Sequence, residues 1–116
     1  MYNNLTPVTI SAMPDTTNLD IETMRSSALE ATVALRALAH EDRLLLLCQL
    51  SQEELCVSEL RDRLDLQQPM LSQQLGVLRR DGLVATRRDG RQIFYSIADE
   101  RILALLQTLY EHYCSP

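Results

Sequence analysis

The chain has no lysine: all eleven of its basic residues are arginine. It also has no apolar run near the roughly 20 residues that a membrane-spanning helix needs. Its opening, MYNNLTPVTISAM, lacks the basic start and continuous apolar block of a secretory signal. Those absences lead to the expectation of a cytoplasmic protein. There the three cysteines, Cys48, Cys56 and Cys114, stand as thiols and not as a disulfide framework. No C-x-x-C motif and no argued Cys–His arrangement is present, so nothing indicates an enzyme or a cofactor.

What is there is an uneven distribution of charge. The overall formal charge is −5, which by itself argues against nucleic acid. Residues 1–60 hold three arginines against nine acids, a net of −6. Residues 61–92 hold seven arginines against four acids, a net of +3, and residues 93–116 return to −2. A basic middle inside an acidic chain is the footprint of a local phosphate-facing surface.

Residues 1–18, with Pro7, Pro14 and Thr/Asn clusters but no sustained period, read as a flexible tail, leaving one domain over 19–116. A helix is expected from Leu19, where Met24, Ala28, Ala31, Leu35 and Leu38 make a narrow apolar stripe suited to helix-on-helix packing. RLLLLCQL (43–50) reads as a short, nearly all-apolar helix central to the core, with Cys48 on the Leu44 side and rather buried. Two further helices, Val57–Leu64 and Gln68–Arg80, turn Leu60, Leu64, Leu71, Leu75 and Leu78 inward. Pro69 falls in the first turn of the second, where proline is tolerated, and Asp81-Gly82 stops it. The period then changes to two: LVATRRDGRQIFYSI (83–97) has two β-prone arms around Asp89-Gly90, a hairpin signal. A last helix is expected from the N-cap Asp99 to Tyr113, with more apolar surface than one face can bury, most simply against a second subunit. The order is that of a mainly α winged helix-turn-helix with a β-hairpin wing, dimeric through its first and last helices.

In such a fold the second helix of the helix-turn-helix presents its N-terminal residues to base edges in the major groove. Here these are Gln67, Gln68, Ser72, Gln73 and Gln74, together with Met70. Glutamine pairs bidentately with adenine, and serine donates to or accepts from several bases. Arg79 and Arg80 close the helix, while Arg87, Arg88 and Arg91 crowd the hairpin tip and suit backbone or minor-groove contact. The implied partner is double-stranded operator DNA.

The segments ALRALAHEDRLLLLCQL, VSELRDRLDLQQPMLSQQLGVLRRDGLV and GRQIFYSI closely resemble the ArsR/SmtB family of bacterial winged-helix repressors over about residues 34–115. The resemblance implies a homodimer, a two-fold symmetric operator and release by an inducer. Arsenic-type members carry a thiolate pattern resembling E-L-C-V-C-D-L-C; here Cys56 remains, but Ser58 and Arg61 replace the other two sulfurs. One thiolate does not make the soft multidentate site such an ion needs. Zinc-type members set D-x-H and H-x-x-E on the last helix; Asp99 and His112 match, whereas Arg101 and Ser115 do not. No metal site is therefore expected, and Cys56 reads as a residue that caps or packs at the start of its helix.

Cys48 and Cys114 resemble the paired cysteines of the persulfide- and sulfide-responsive branch, which also tends to show SQQLGVLR, present at residues 72–79. The resemblance implies that reactive sulfur links the two within one subunit and releases the dimer from DNA. The plainer alternative leaves Cys48 as a small core residue and Cys114 as an idle terminal thiol. A regulator of the same fold that senses a metal or general oxidants, or that acts as an anti-silencing activator, also stays open.

Overall fold

The computed structural model describes residues 20–114; the expected tail over 1–18 and Ser115 lie outside them. Helix α1 (Ile21–Leu38) begins after Asp20, whose side chain accepts the Thr23 N–H at 2.7 Å and so satisfies one of the orphan donors of the first turn. Helix α2 (Glu41–Leu50) follows. A helix with 3.6 residues per turn cannot turn four consecutive leucines inward. Leu46, Leu47 and Leu50 are buried, while Leu45 and Cys48 face outward. The exposure of Cys48 corrects the expectation of a buried position: it shares its helix with the core leucines but not their face.

A two-residue strand, β1 (Leu55–Cys56), precedes α3 (Val57–Leu64) and α4 (Gln68–Arg80). Strands β2 (Val84–Asp89) and β3 (Gln92–Ile97) form the wing, and β1 adds to the far side of β3, giving a three-stranded antiparallel sheet in the order β1-β3-β2. Leu55 opposes Tyr95 and Cys56 opposes Phe94. Two residues cannot display a period, so β1 left no pattern in the sequence. The hairpin turn also sits one residue later than the Asp89-Gly90 reading: Asp89 pairs with Gln92, leaving Gly90-Arg91 as the loop. Gly90 has φ 65°, a left-handed conformation that glycine adopts without steric cost.

Helix α5 (Glu100–Leu109) starts at Asp99, which accepts the Arg101 N–H at 2.9 Å. The chain then continues as a π-helical turn, Tyr110–Cys114, in place of the expected α-helix to Tyr113. Such a turn widens the helix and changes the direction in which its side chains point.

The buried core draws on Leu46, Leu47 and Leu50 of α2, Leu60 of α3, Leu71, Leu75 and Leu78 of α4, and Ile102 and Leu106 of α5, closed by Leu83 and Val84. From α1 it takes Ala37. Much of the apolar stripe of α1 therefore stays on the surface: Met24 and Leu35 are exposed, as are Ile21 and Leu29, and so are Leu103, Leu105, Tyr110 and Tyr113 at the other end of the chain.

Candidate nucleic-acid interface and thiol pair

The helix-turn-helix is set by one tight reversal. Asp65 ends α3 in the left-handed region with φ 54°, and Gln67 stands extended at the N-cap of α4. Leu71, Leu75 and Leu78 pin one face of α4 to the core, so the opposite face is presented to solvent. Gln67, Gln68, Ser72 and Gln73 are exposed on it, together with Met70. Gln74 is not: it is 8% exposed, and its amide nitrogen points toward Met70 Sδ at 3.7 Å. That corrects its assignment to the base-reading set. Position 74 falls between 71 and 78 on the leucine stripe, so the helical period already placed it inward.

Arg79 and Arg80 are exposed at the end of α4, with Arg80 Nε 3.8 Å from Asp81. Arg88 and Arg91 are exposed in the wing. Arg87 departs from the expectation of a free tip residue. It lies within β2 opposite Phe94, its guanidinium sits 4.7 Å from that ring's centroid, and it bonds Glu54 at 2.7 and 2.8 Å. It anchors the wing to the segment before β1. Because 33 residues separate the two partners, no local pattern announces that pair.

Two of the three thiols stand together away from these residues. Cys48 on α2 and Cys114 on the π-helical turn line the same two clefts. One, of about 660 Å³, is polar at its rim, with Gln49, Ser51, Gln52 and Gln107. The other, of about 570 Å³, is walled by Leu35, Leu38, Leu44, Leu105, Leu109 and Tyr113. Both residues are exposed. Although the surface of Cys48 is open, protein crowds its sulfur; that burial, and then the neighbouring Cys114, push the thiol above its ordinary pKa. Cys56, by contrast, is 4% exposed at the N-cap of α3, where its N–H is received by Glu59 at 3.0 Å.

At the position of the zinc-type pattern, Arg101 grips Asp99 through bonds of 2.9 and 3.0 Å and reaches Glu30 of α1 at 2.8 Å. The side-chain bonds from Arg101 hold the Asp99 carboxyl below its usual range. A guanidinium thus takes the carboxylate that a cation would need, and the donor set does not suit a metal.

Residues 40–86, from the start of α2 through the helix-turn-helix into β2, match the model of "Bacterial regulatory protein, arsR family". The chain is 45% identical over 102 residues to the biofilm growth-associated repressor of Agrobacterium fabrum, covering 88% of this chain and 87% of that protein. The chain belongs to the arsR family. It is also 42% identical over 96 residues to the transcriptional activator HlyU of Vibrio cholerae, across 83% of this chain and 89% of the relative. Among solved structures, the transcriptional repressor BigR from Xylella fastidiosa superposes with a TM-score of 0.76 at 41% identity, covering 84% of this chain and 100% of that one. This arsR-family chain is accordingly a DNA-binding transcription regulator with a winged helix-turn-helix, and not an enzyme.

Proposed function

We propose that the protein is a homodimeric repressor that holds a palindromic operator while its thiols are reduced, and lets go when persulfide or polysulfide joins Cys48 to Cys114. The observation that carries this reading is the convergence of the two cysteines, 66 positions apart in sequence, on shared clefts between α2 and the end of the chain. Repression follows the biofilm growth-associated repressor and BigR by similarity. Dimerisation is supported by the exposed apolar residues of α1, α5 and the π-helical turn, among them Leu35 at 56% and Tyr113 at 82% exposure. Base readout is assigned to Gln67, Gln68, Ser72 and Gln73, and backbone contact to Arg79, Arg80, Arg88 and Arg91.

The chemistry needs no cofactor. One thiolate attacks the outer sulfur of a small persulfide RSSH, giving protein–S–SH and releasing RS⁻. The second thiolate attacks the protein-bound sulfur of that group, forms the disulfide and expels HS⁻. If the second cysteine is itself persulfidated, attack by the first terminal sulfur on its inner sulfur gives a trisulfide and again HS⁻. The low-molecular-weight persulfide is the oxidant throughout. A covalent tie between α2 and the π-helical turn displaces α2, which packs against α4. It thereby alters the separation of the two recognition helices, on which half-site binding depends.

Replacing Cys48 or Cys114 by serine tests this. Each variant is expected to bind DNA like the parent when reduced and to lose the response to glutathione persulfide completely, measured by gel shift and by mass mapping of the cross-link. Normal release by Cys48→Ser, or a cross-link through Cys56, sinks the proposal.

A further inference from the structure

A cleft of about 360 Å³ opens between the start of α3 and the wing turn, on the side of the molecule that carries the first residues of α4. Arg61 of α3, Gln68 of α4 and Arg91 and Gln92 of the wing line it, over a floor that includes Cys56 and Ser58. No carboxylate is among its lining residues. Arg61 donates from Nη1 to Gln68 Oε1 at 3.2 Å, which holds the guanidinium over the opening. Its nearest acid, Asp62, stands 3.5 Å from Nε in a pair whose side chains are 45% and 74% exposed, too wet to neutralise it. Among the described residues no ion pair involves Arg91. The floor is neutral and closed: Cys56 Sγ and Ser58 Oγ are 3.2 Å apart, and Cys56 is buried.

Two guanidinium groups and two amides around a rim with no acid make a donor-rich, positively charged seat. Guanidinium forks match phosphate oxygens, and contacts of this kind fix a protein's register on a duplex without reading its sequence. The two cations come from different units, one from the first helix of the helix-turn-helix and one from the wing. An anion between them would bind the wing and α3 to the same strand.

We propose that this cleft seats a backbone phosphate of bound DNA, with Arg61 and Arg91 as its two sides. Arg61 thereby joins the DNA-contacting residues. Cys56, Ser58 and Arg61 are the three positions that would carry sulfur in a thiolate pattern, and in this chain all three line the phosphate seat. The inference is independent of the thiol switch and is tested on reduced protein.

The test is the salt dependence of duplex binding, followed by fluorescence anisotropy. The probes are a mixed-sequence duplex and the duplex that the parent protein enriches from a random pool. Each phosphate neutralised contributes about 0.9 to the slope of log K against log salt. Arg61→Gln is expected to lower the slope by about 0.9 per bound chain and to weaken both duplexes by the same factor, while Arg61→Lys keeps the slope. Arg91→Gln should behave like Arg61→Gln. Arg25→Gln, on α1 and outside the cleft, should leave the slope unchanged. Inorganic phosphate added at constant ionic strength is expected not to displace either duplex; displacement of the parent but not of Arg61→Gln would make the seat one for free phosphate and overturn the assignment to DNA. An unchanged slope in Arg61→Gln overturns it too, as does an equal loss in Arg25→Gln. A change confined to sequence preference would reduce Arg61 to a positioner of Gln68 and likewise overturn the proposal. Superimposable thermal melts of the variants establish that each is folded.

Discussion

The DNA-reading half and the thiol-bearing half are built to opposite standards. In the first, Leu60, Leu71, Leu75 and Leu78 are fully buried, and the polar face of α4 is held at a fixed angle over them. The second consists of α1, the outer face of α2 with Cys48, the outer face of α5 and the π-helical turn, and leaves Ile21, Met24, Leu35, Leu105, Tyr110 and Tyr113 in solvent. A reader of base edges needs a rigid mount, because side chains displaced by an ångström lose their hydrogen bonds. The proposed thiol switch requires an element whose packing is incomplete, so that a modest chemical event can shift it. The chain sets its fully buried leucines mostly in α2–α4 and leaves unmatched apolar surface on α1, α5 and the π-helical turn.

The contrast can be broken most forcefully from within. Leu75→Ala should destabilise the fold by about 2–5 kcal/mol, read as a shifted denaturant midpoint, because it empties a fully buried site in α4. Leu105→Glu, on the exposed side of α5, should leave the far-UV spectrum of the subunit intact but produce monomers by light scattering. On the proposed dimer, operator affinity should then fall on the order of tenfold or more, since two linked half-sites would no longer act together. If Leu105→Glu unfolds the chain instead, the two halves are not energetically separate.

The smallest expected effect concerns the reactivity of Cys48. Burial, and secondly the charge of Cys114, raise its pKa, so the thiolate is the disfavoured form at neutral pH. Alkylation of Cys48 should therefore keep accelerating with pH beyond the ordinary thiol value of about 8.5. Cys114→Ser should draw its midpoint part of the way back down. An unchanged midpoint in Cys114→Ser would mean that the two sulfurs do not influence each other.

Much of the fold is legible in the sequence because it rests on period. The leucines of α3 and α4, the glycine after α4 and the alternation of 83–97 each reflect local geometry, and the elements stand within a residue or two of where those signals put them. Local signals mislead where they meet a tertiary demand. The leucines beside Cys48 suggest an inward position for it, yet those leucines claim the buried face of α2. The compact run RRDGR groups Arg87 with the tip, but strand register places it opposite Phe94 and within reach of Glu54. Gln74 is a different case: its burial is legible after all, since the leucine stripe itself passes through that position.

By itself, then, the sequence determined the helix-turn-helix, the wing and the concentration of arginine around them, because these depend on contacts a few residues apart. The tertiary structure decided what distance along the chain conceals. It brought Cys114 to the clefts of Cys48, tied Arg101 beside Asp99 to Glu30 of α1, and set Arg61 and Arg91 on one cleft. Each of these depends on how elements pack, and packing is settled by the whole set of buried leucines rather than by any one segment.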